Sequence, residues 1–116
     1  MHLSQRLSVK SDVAIEQTLQ FIDNNLAVNL NESLLAAQVD YSTTYFSKLF
    51  RKSTGVSFRD YVISKRISLA KQMLVEDKAM KVAVVAYQCG YRDVSYFSRI
   101  FKKKTGLTPA GYRQQY

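Results

Sequence analysis

Residues Tyr45–Tyr61 read YFSKLFRKSTGVSFRDY, and fifty-one positions later Tyr96–Tyr112 read YFSRIFKKKTGLTPAGY. Eight of the seventeen pairs are identical, and five more keep their chemistry: Lys48 with Arg99, Leu49 with Ile100, Arg51 with Lys102, Val56 with Leu107 and Ser57 with Thr108. A match of that density marks an internal duplication. Phe46, Leu49 and Phe50 fall at i, i+3 and i+4, as do Phe97, Ile100 and Phe101, so each trio forms one apolar stripe on a helix. Gly55 and Gly106 stand where a helix is closed in the left-handed conformation. Ser57 and Thr108 follow as N-caps of the next helix, the first with Asp60 at the third position and the second with Pro109 at the first.

The opposite faces carry the functional signal. One copy presents Thr44, Ser47, Lys48 and Arg51, the other Ser95, Ser98, Arg99 and Lys102. Both are short hydroxyls followed by cations, a pattern suited to bases and phosphates.

Working outward, Asn31–Ala37 predicts a short helix with Leu34, Leu35, Ala36 and Ala37. A turn at Gln38–Tyr41 and a cap at Ser42 then lead into the first copy. The second copy has the same frame, with Val82–Tyr87 as leading helix, Gly90 in the turn and Asp93 as cap. Ala36 and Ala86 correspond at a shift of fifty, so the second turn holds one extra residue. Each copy therefore predicts a helix-turn-helix unit. Between them, residues 57–76 predict a connecting helix with Phe58, Tyr61, Val62, Ile67, Ala70, Met73 and Leu74 inward. Nineteen helical residues span about 28 Å, compatible with two heads in major-groove faces roughly 34 Å apart. Upstream, Asp12 is expected to cap a first helix with Val13, Ile15, Leu19, Ile22 and Leu26 as its apolar positions. The polar residues 1–11 are expected to be a disordered arm or linker. The fold class is all-α with about seven helices, divided as 12–56 for the first unit, 57–76 for the connector and 77–116 for the second.

Composition narrows the partner. The chain has 116 residues, a net charge of +8 and a sequence pI near 9.7, which favours a polyanion. From Lys81 onward seven Lys or Arg face the single acid Asp93. Cys89 is the lone cysteine, so no internal disulfide forms, and no apolar run approaches the roughly 18 residues of a membrane span. A cytoplasmic protein is expected. The one histidine is His2, no glycine-rich phosphate loop occurs, and the carboxylates form no suggestive pair, so the sequence offers no catalytic or metal site and no cofactor motif.

The order of elements, Arg66 followed by Ala70 and Met73-Leu74, and above all AYQCGYRDVSYFSRIFKKKTGLTPAGYR from Ala86 to Arg113, resemble the DNA-binding domain of AraC/XylS bacterial transcription regulators. The resemblance covers about Val13–Arg113. It implies two recognition helices in adjacent major grooves of double-stranded DNA. Base-facing positions would be Thr43, Thr44, Tyr45, Ser47 and Lys48 in the first helix and Val94, Ser95, Ser98 and Arg99 in the second. Arg99 suits the O6 and N7 of guanine bidentately, and Lys48 reaches the same acceptors. Ser42, Arg51, Lys52, Lys102 and Lys103 suit phosphate. The resemblance further implies activation through contact with RNA polymerase and an upstream effector, dimerisation or receiver domain. A helical protein-interaction module without DNA specificity is the alternative reading. Phe46, Phe50, Phe97 and Phe101 are expected in the core, as are Tyr61, Tyr112 and Cys89.

Overall fold

A computed structural model describes the backbone of residues 3–116 and the side chains from residue 10 onward. It contains seven helices among the described residues and no strand: α1 Leu3–Asn24, α2 Glu32–Gln38, α3 Thr43–Thr54, α4 Phe58–Glu76, α5 Val82–Gln88, α6 Val94–Thr105 and α7 Pro109–Gln115. The all-α expectation holds.

The expected arm does not. Met1 and His2 lie outside the described residues, but residues 3–11 belong to α1, and Asp12 lies inside that helix instead of capping it. Nothing in residues 3–24 stops a helix, since the run holds no Gly or Pro and extending a formed helix costs little per residue. The inward face of α1 is Ala14, Ile15, Thr18 and Ile22. Val13, expected inward, is exposed. Thr18 is buried at no polar cost because its hydroxyl donates to the Ala14 carbonyl at 3.0 Å.

The chain forms two compact units. The first comprises residues up to Asn25 with Leu30–Val62, the second Leu26–Asn29 with Ile63–Tyr116. The connecting stretch is one helix, but it does not stand apart as a separate connector. Phe58 and Val62 are buried in the first unit, whereas Ile63, Ile67, Ala70 and Leu74 are buried in the second. One helix thus carries two successive apolar stripes. The expected inward set lacked Ile63, while Tyr61 and Met73 are half-buried.

In the first unit, the rings of Phe46 and Phe50 pack on Phe58, with centroids 6.1 and 5.7 Å away. Tyr61 closes edge-on against Phe50 at 5.5 Å. The second unit repeats this: Phe97 lies 5.8 Å from Phe101, and Tyr112 closes edge-on against Phe101 at 5.4 Å. All four phenylalanines of the repeat are fully buried, so truncating any one should cost about 3–5 kcal/mol. Also in the second unit, Arg66 reaches from α4 to the Leu26 and Val28 carbonyls at 3.1 and 2.7 Å. That pair of bonds assigns the loop after α1 to this unit. Arg113 holds the Leu74 and Asp77 carbonyls in a similar way, both at 3.1 Å.

Candidate nucleic-acid interface

Each candidate recognition helix is fixed at both ends by the same devices. α3 and α6 are twelve residues long, and each ends on a glycine with φ 82° and ψ −4°, Gly55 and Gly106. At the start, Ser42 accepts the Tyr45 N–H at 3.2 Å and Asp93 accepts the Tyr96 N–H at 3.1 Å. At the end, Thr54 and Thr105 donate to the Phe50 and Phe101 carbonyls, both at 2.8 Å. The next helices begin as the spacing predicts, with Ser57 accepting the Asp60 N–H at 3.1 Å and Thr108 the Gly111 N–H at 3.0 Å.

The turns are built on one plan with two residues. Tyr41 and Tyr91 donate their N–H groups to Ala36 and Ala86 at 2.9 Å in both units. The residue before each tyrosine is left-handed: Asp40 at φ 62° and Gly90 at φ 94°. The extra residue of the second turn is Arg92, which lies between Tyr91 and the cap Asp93.

Fully buried Phe46 and Phe50 anchor one side of α3 and leave Thr43, Thr44, Tyr45 and Lys48 exposed, with Ser47 half-buried. Tyr45 is 49% exposed and meets Tyr41 edge-on at 4.9 Å. Thr43 donates to the Ser33 hydroxyl at 3.2 Å, and Ser47 donates to the Glu32 carboxylate. On α6, Val94, Ser95 and Arg99 are exposed and Ser98 is half-buried. The Arg99 guanidinium lies over the Tyr96 ring at 5.9 Å, a contact that orders the side chain while leaving its N–H donors available. Arg51, Lys52, Lys102 and Lys103 are exposed in the last turns, where positive charge also complements the helix dipole.

Two residues with a bearing on the interface were not among those expected. Arg92 is exposed, with its guanidinium over the Tyr87 ring at 5.1 Å. The change of shift from fifty to fifty-one between the copies marks its position in the sequence. Glu32 left no such mark, because its partner Ser47 is fifteen residues away.

Cys89 is fully buried and Tyr61 half-buried. Burial pushes the Cys89 thiol up to about 11, partly opposed by the Arg66 charge. Burial, then the Asp23 carboxylate that accepts the phenol hydrogen at 3.2 Å, pushes Tyr61 up to about 12.

Residues 35–115 match a family model described as "Helix-turn-helix domain". The chain is 34% identical over 112 residues to the arabinose operon regulatory protein of Escherichia coli (strain K12), a match covering 96% of the chain and 38% of that relative. The chain belongs to the AraC-type helix-turn-helix family. Among solved structures, it is similar to the C-terminal domain of the two-component response regulator yesN of Fusobacterium nucleatum. That likeness has TM-score 0.80 and 34% identity, covering 84% of the chain and 95% of the other. It is also similar to the DNA-binding domain of the transcriptional factor AdpA, solved with a target DNA, at TM-score 0.83 and 26% identity, covering 88% of the chain and 91% of the other. This AraC-type chain is therefore a DNA-binding domain of a transcription regulator and belongs to a non-enzymatic family. It spans under two thirds of the length of the curated relatives it matches. No helix among the described residues is long and apolar enough to cross a membrane.

Proposed function

We propose that this chain is the DNA-reading part of a longer bacterial regulator, and that α3 and α6 enter adjacent major grooves of one duplex. The observation that carries the reading is the repetition, on two helices capped at equivalent positions, of buried phenylalanines behind an outer face of hydroxyls and cations. Thr43, Thr44, Tyr45, Ser47 and Lys48 read one box; Val94, Ser95, Ser98 and Arg99 read the other. Ser42, Arg51, Lys52, Lys102 and Lys103 take phosphates, which position without reading sequence.

Local chemistry refines those roles. Ser42 accepts a backbone N–H as cap, so its own hydrogen remains for a phosphate oxygen. Asp93, capping the second helix, has no hydrogen to give and would repel phosphate. Arg92 stands beside it and supplies the cation that the second head needs there. In a helix-turn-helix the leading helix crosses the backbone, which suits an arginine held over Tyr87 on α5.

The regulator acts in the cytoplasm as an activator that touches RNA polymerase, under an effector, dimerisation or receiver domain in the remainder of the protein. The yesN relative is a two-component response regulator, which favours a receiver among these. Selection of the purified chain against random duplex DNA at about 150 mM salt, where non-specific binding is already weak, tests the core of the proposal. Enrichment of an asymmetric motif of two boxes one helical turn apart is the expected result. Retention of DNA without any enriched motif would show that specificity needs a further domain.

A further inference from the structure

We infer that Glu32 is a positioning residue that makes Ser47 a pure hydrogen-bond acceptor and so dictates an amino-bearing base, adenine or cytosine, at the position Ser47 reads. The inference rests on the reading above, in which Ser47 meets base edges in the major groove.

Glu32 opens α2 directly after its cap, Asn31, whose side chain accepts the Ser33 and Leu34 N–H groups at 2.8 and 3.3 Å. A carboxylate is favoured at that positive helix end. Glu32 Oε1 takes the hydroxyl hydrogen of Ser47 from α3, and the Thr43 to Ser33 bond ties the same two helices beside it. The direction of the Ser47 bond is not a matter of choice. An ionised carboxylate only accepts, so the hydrogen between the two oxygens is the serine's.

A free serine hydroxyl rotates to donate or accept as its partner requires. Ser47, with its hydrogen committed, offers lone pairs alone. In the major groove the amino groups are adenine N6 and cytosine N4, whereas guanine O6 and N7 and thymine O4 are acceptors. The first pair satisfies Ser47. The second places lone pair against lone pair.

The second unit lacks the device. Glu32 and Ser33 correspond to Val82 and Ala83, which offer no side-chain acceptor to Ser98. Ser98 keeps its rotation and tolerates either kind of base. The two heads thus differ in stringency at equivalent positions, through a residue that need not touch DNA.

The test compares the motifs selected by the parent chain and by Glu32→Val, the residue found at the equivalent place in the second unit. The parent is expected to show one position in the first box where adenine or cytosine is preferred by about tenfold, the worth of one good hydrogen bond. Glu32→Val should admit guanine and thymine there and leave the second box unchanged. Ser47→Ala should erase the same preference and make Glu32→Val silent at that position in the double variant. If Glu32→Val does not fold, Ser47→Ala alone decides, and a preference that survives it overturns the inference. A parent motif that Glu32→Val leaves unaltered, or weakens uniformly at all positions, overturns the role of Glu32 alone. A parent chain that retains DNA but enriches no motif overturns the inference, since Ser47 then dictates no base in this chain, and one that retains no DNA overturns the reading on which the inference rests.

Discussion

Arg99 and Lys102 lie three positions apart on α6, yet they are expected to fail in different ways. Arg99 is held over Tyr96 in the part of the helix assigned to bases, so Arg99→Ala should cost about 1–3 kcal/mol and relax one base position. Uniform weakening on all sequences would instead assign Arg99 to the backbone. Lys102 is exposed in the last turn, and Lys102→Ala should weaken every sequence alike and lower the slope of log affinity against log salt by about 1. An unchanged slope would leave Lys102 solvated. Cys89 carries a prediction of another kind. Its thiol is fully buried and pushed up to about 11, so it should resist iodoacetamide in the folded protein and react on unfolding. A folded pKa raised above an unfolded value near 9 contributes stability that is complete below about pH 9 and lost as pH rises towards 11. Urea midpoints measured from pH 7 to 11 should fall over that window, and less so in Cys89→Ala.

The turns separate strain from space. Asp40 and Gly90 occupy equivalent left-handed positions, but a Cβ at Gly90 would lie 2.3 Å from the Leu26 carbonyl oxygen and 2.8 Å from the Arg66 guanidinium. Gly90→Ala should therefore destabilise by more than about 3 kcal/mol, whereas Asp40→Gly, which removes a left-handed side chain, should change stability by less than about 1 kcal/mol. Gly55→Ala meets nothing within 4 Å and should cost only the conformational strain, about 1–2 kcal/mol. Chemical denaturation of the three variants checks the order. These elements show what was legible in the sequence. The caps at Ser42, Ser57, Asp93 and Thr108 and the stops at Gly55 and Gly106 could be placed because capping is a local affair of residue type and spacing. The phenylalanine stripes were legible for the same reason. α1 was misread at its start because polar residues without Gly or Pro look alike in a coil and in an exposed helix. The inward face of α4 was blurred because Phe58 and Val62 serve one unit and Ile63, Ile67, Ala70 and Leu74 the other. At the interface the outward residues were legible by elimination, but the Glu32 to Ser47 bond joins separate helices and has no periodic signature.

At the scale of the molecule, the duplication has kept the packing and let the reading faces diverge. The phenylalanines, closing tyrosines and capping glycines are repeated, while Lys48 corresponds to Arg99, Thr44 to Ser95 and Glu32 to Val82, and Arg92 has no counterpart. Two unlike heads on one chain require no two-fold axis, so a single copy should recognise an asymmetric site and not a palindrome. Both units include part of α4, a continuous helix of nineteen residues. The spacing of the boxes should then matter as much as their sequence. Inserting five base pairs between them turns one box about half a helical turn away from the other, and affinity should drop to that of the better single box. A quantitative shift assay with the selected site and its expanded version measures this directly. If the expanded site binds as tightly as the original, the heads dock independently, and α4 is a tether whose only constraint is its length.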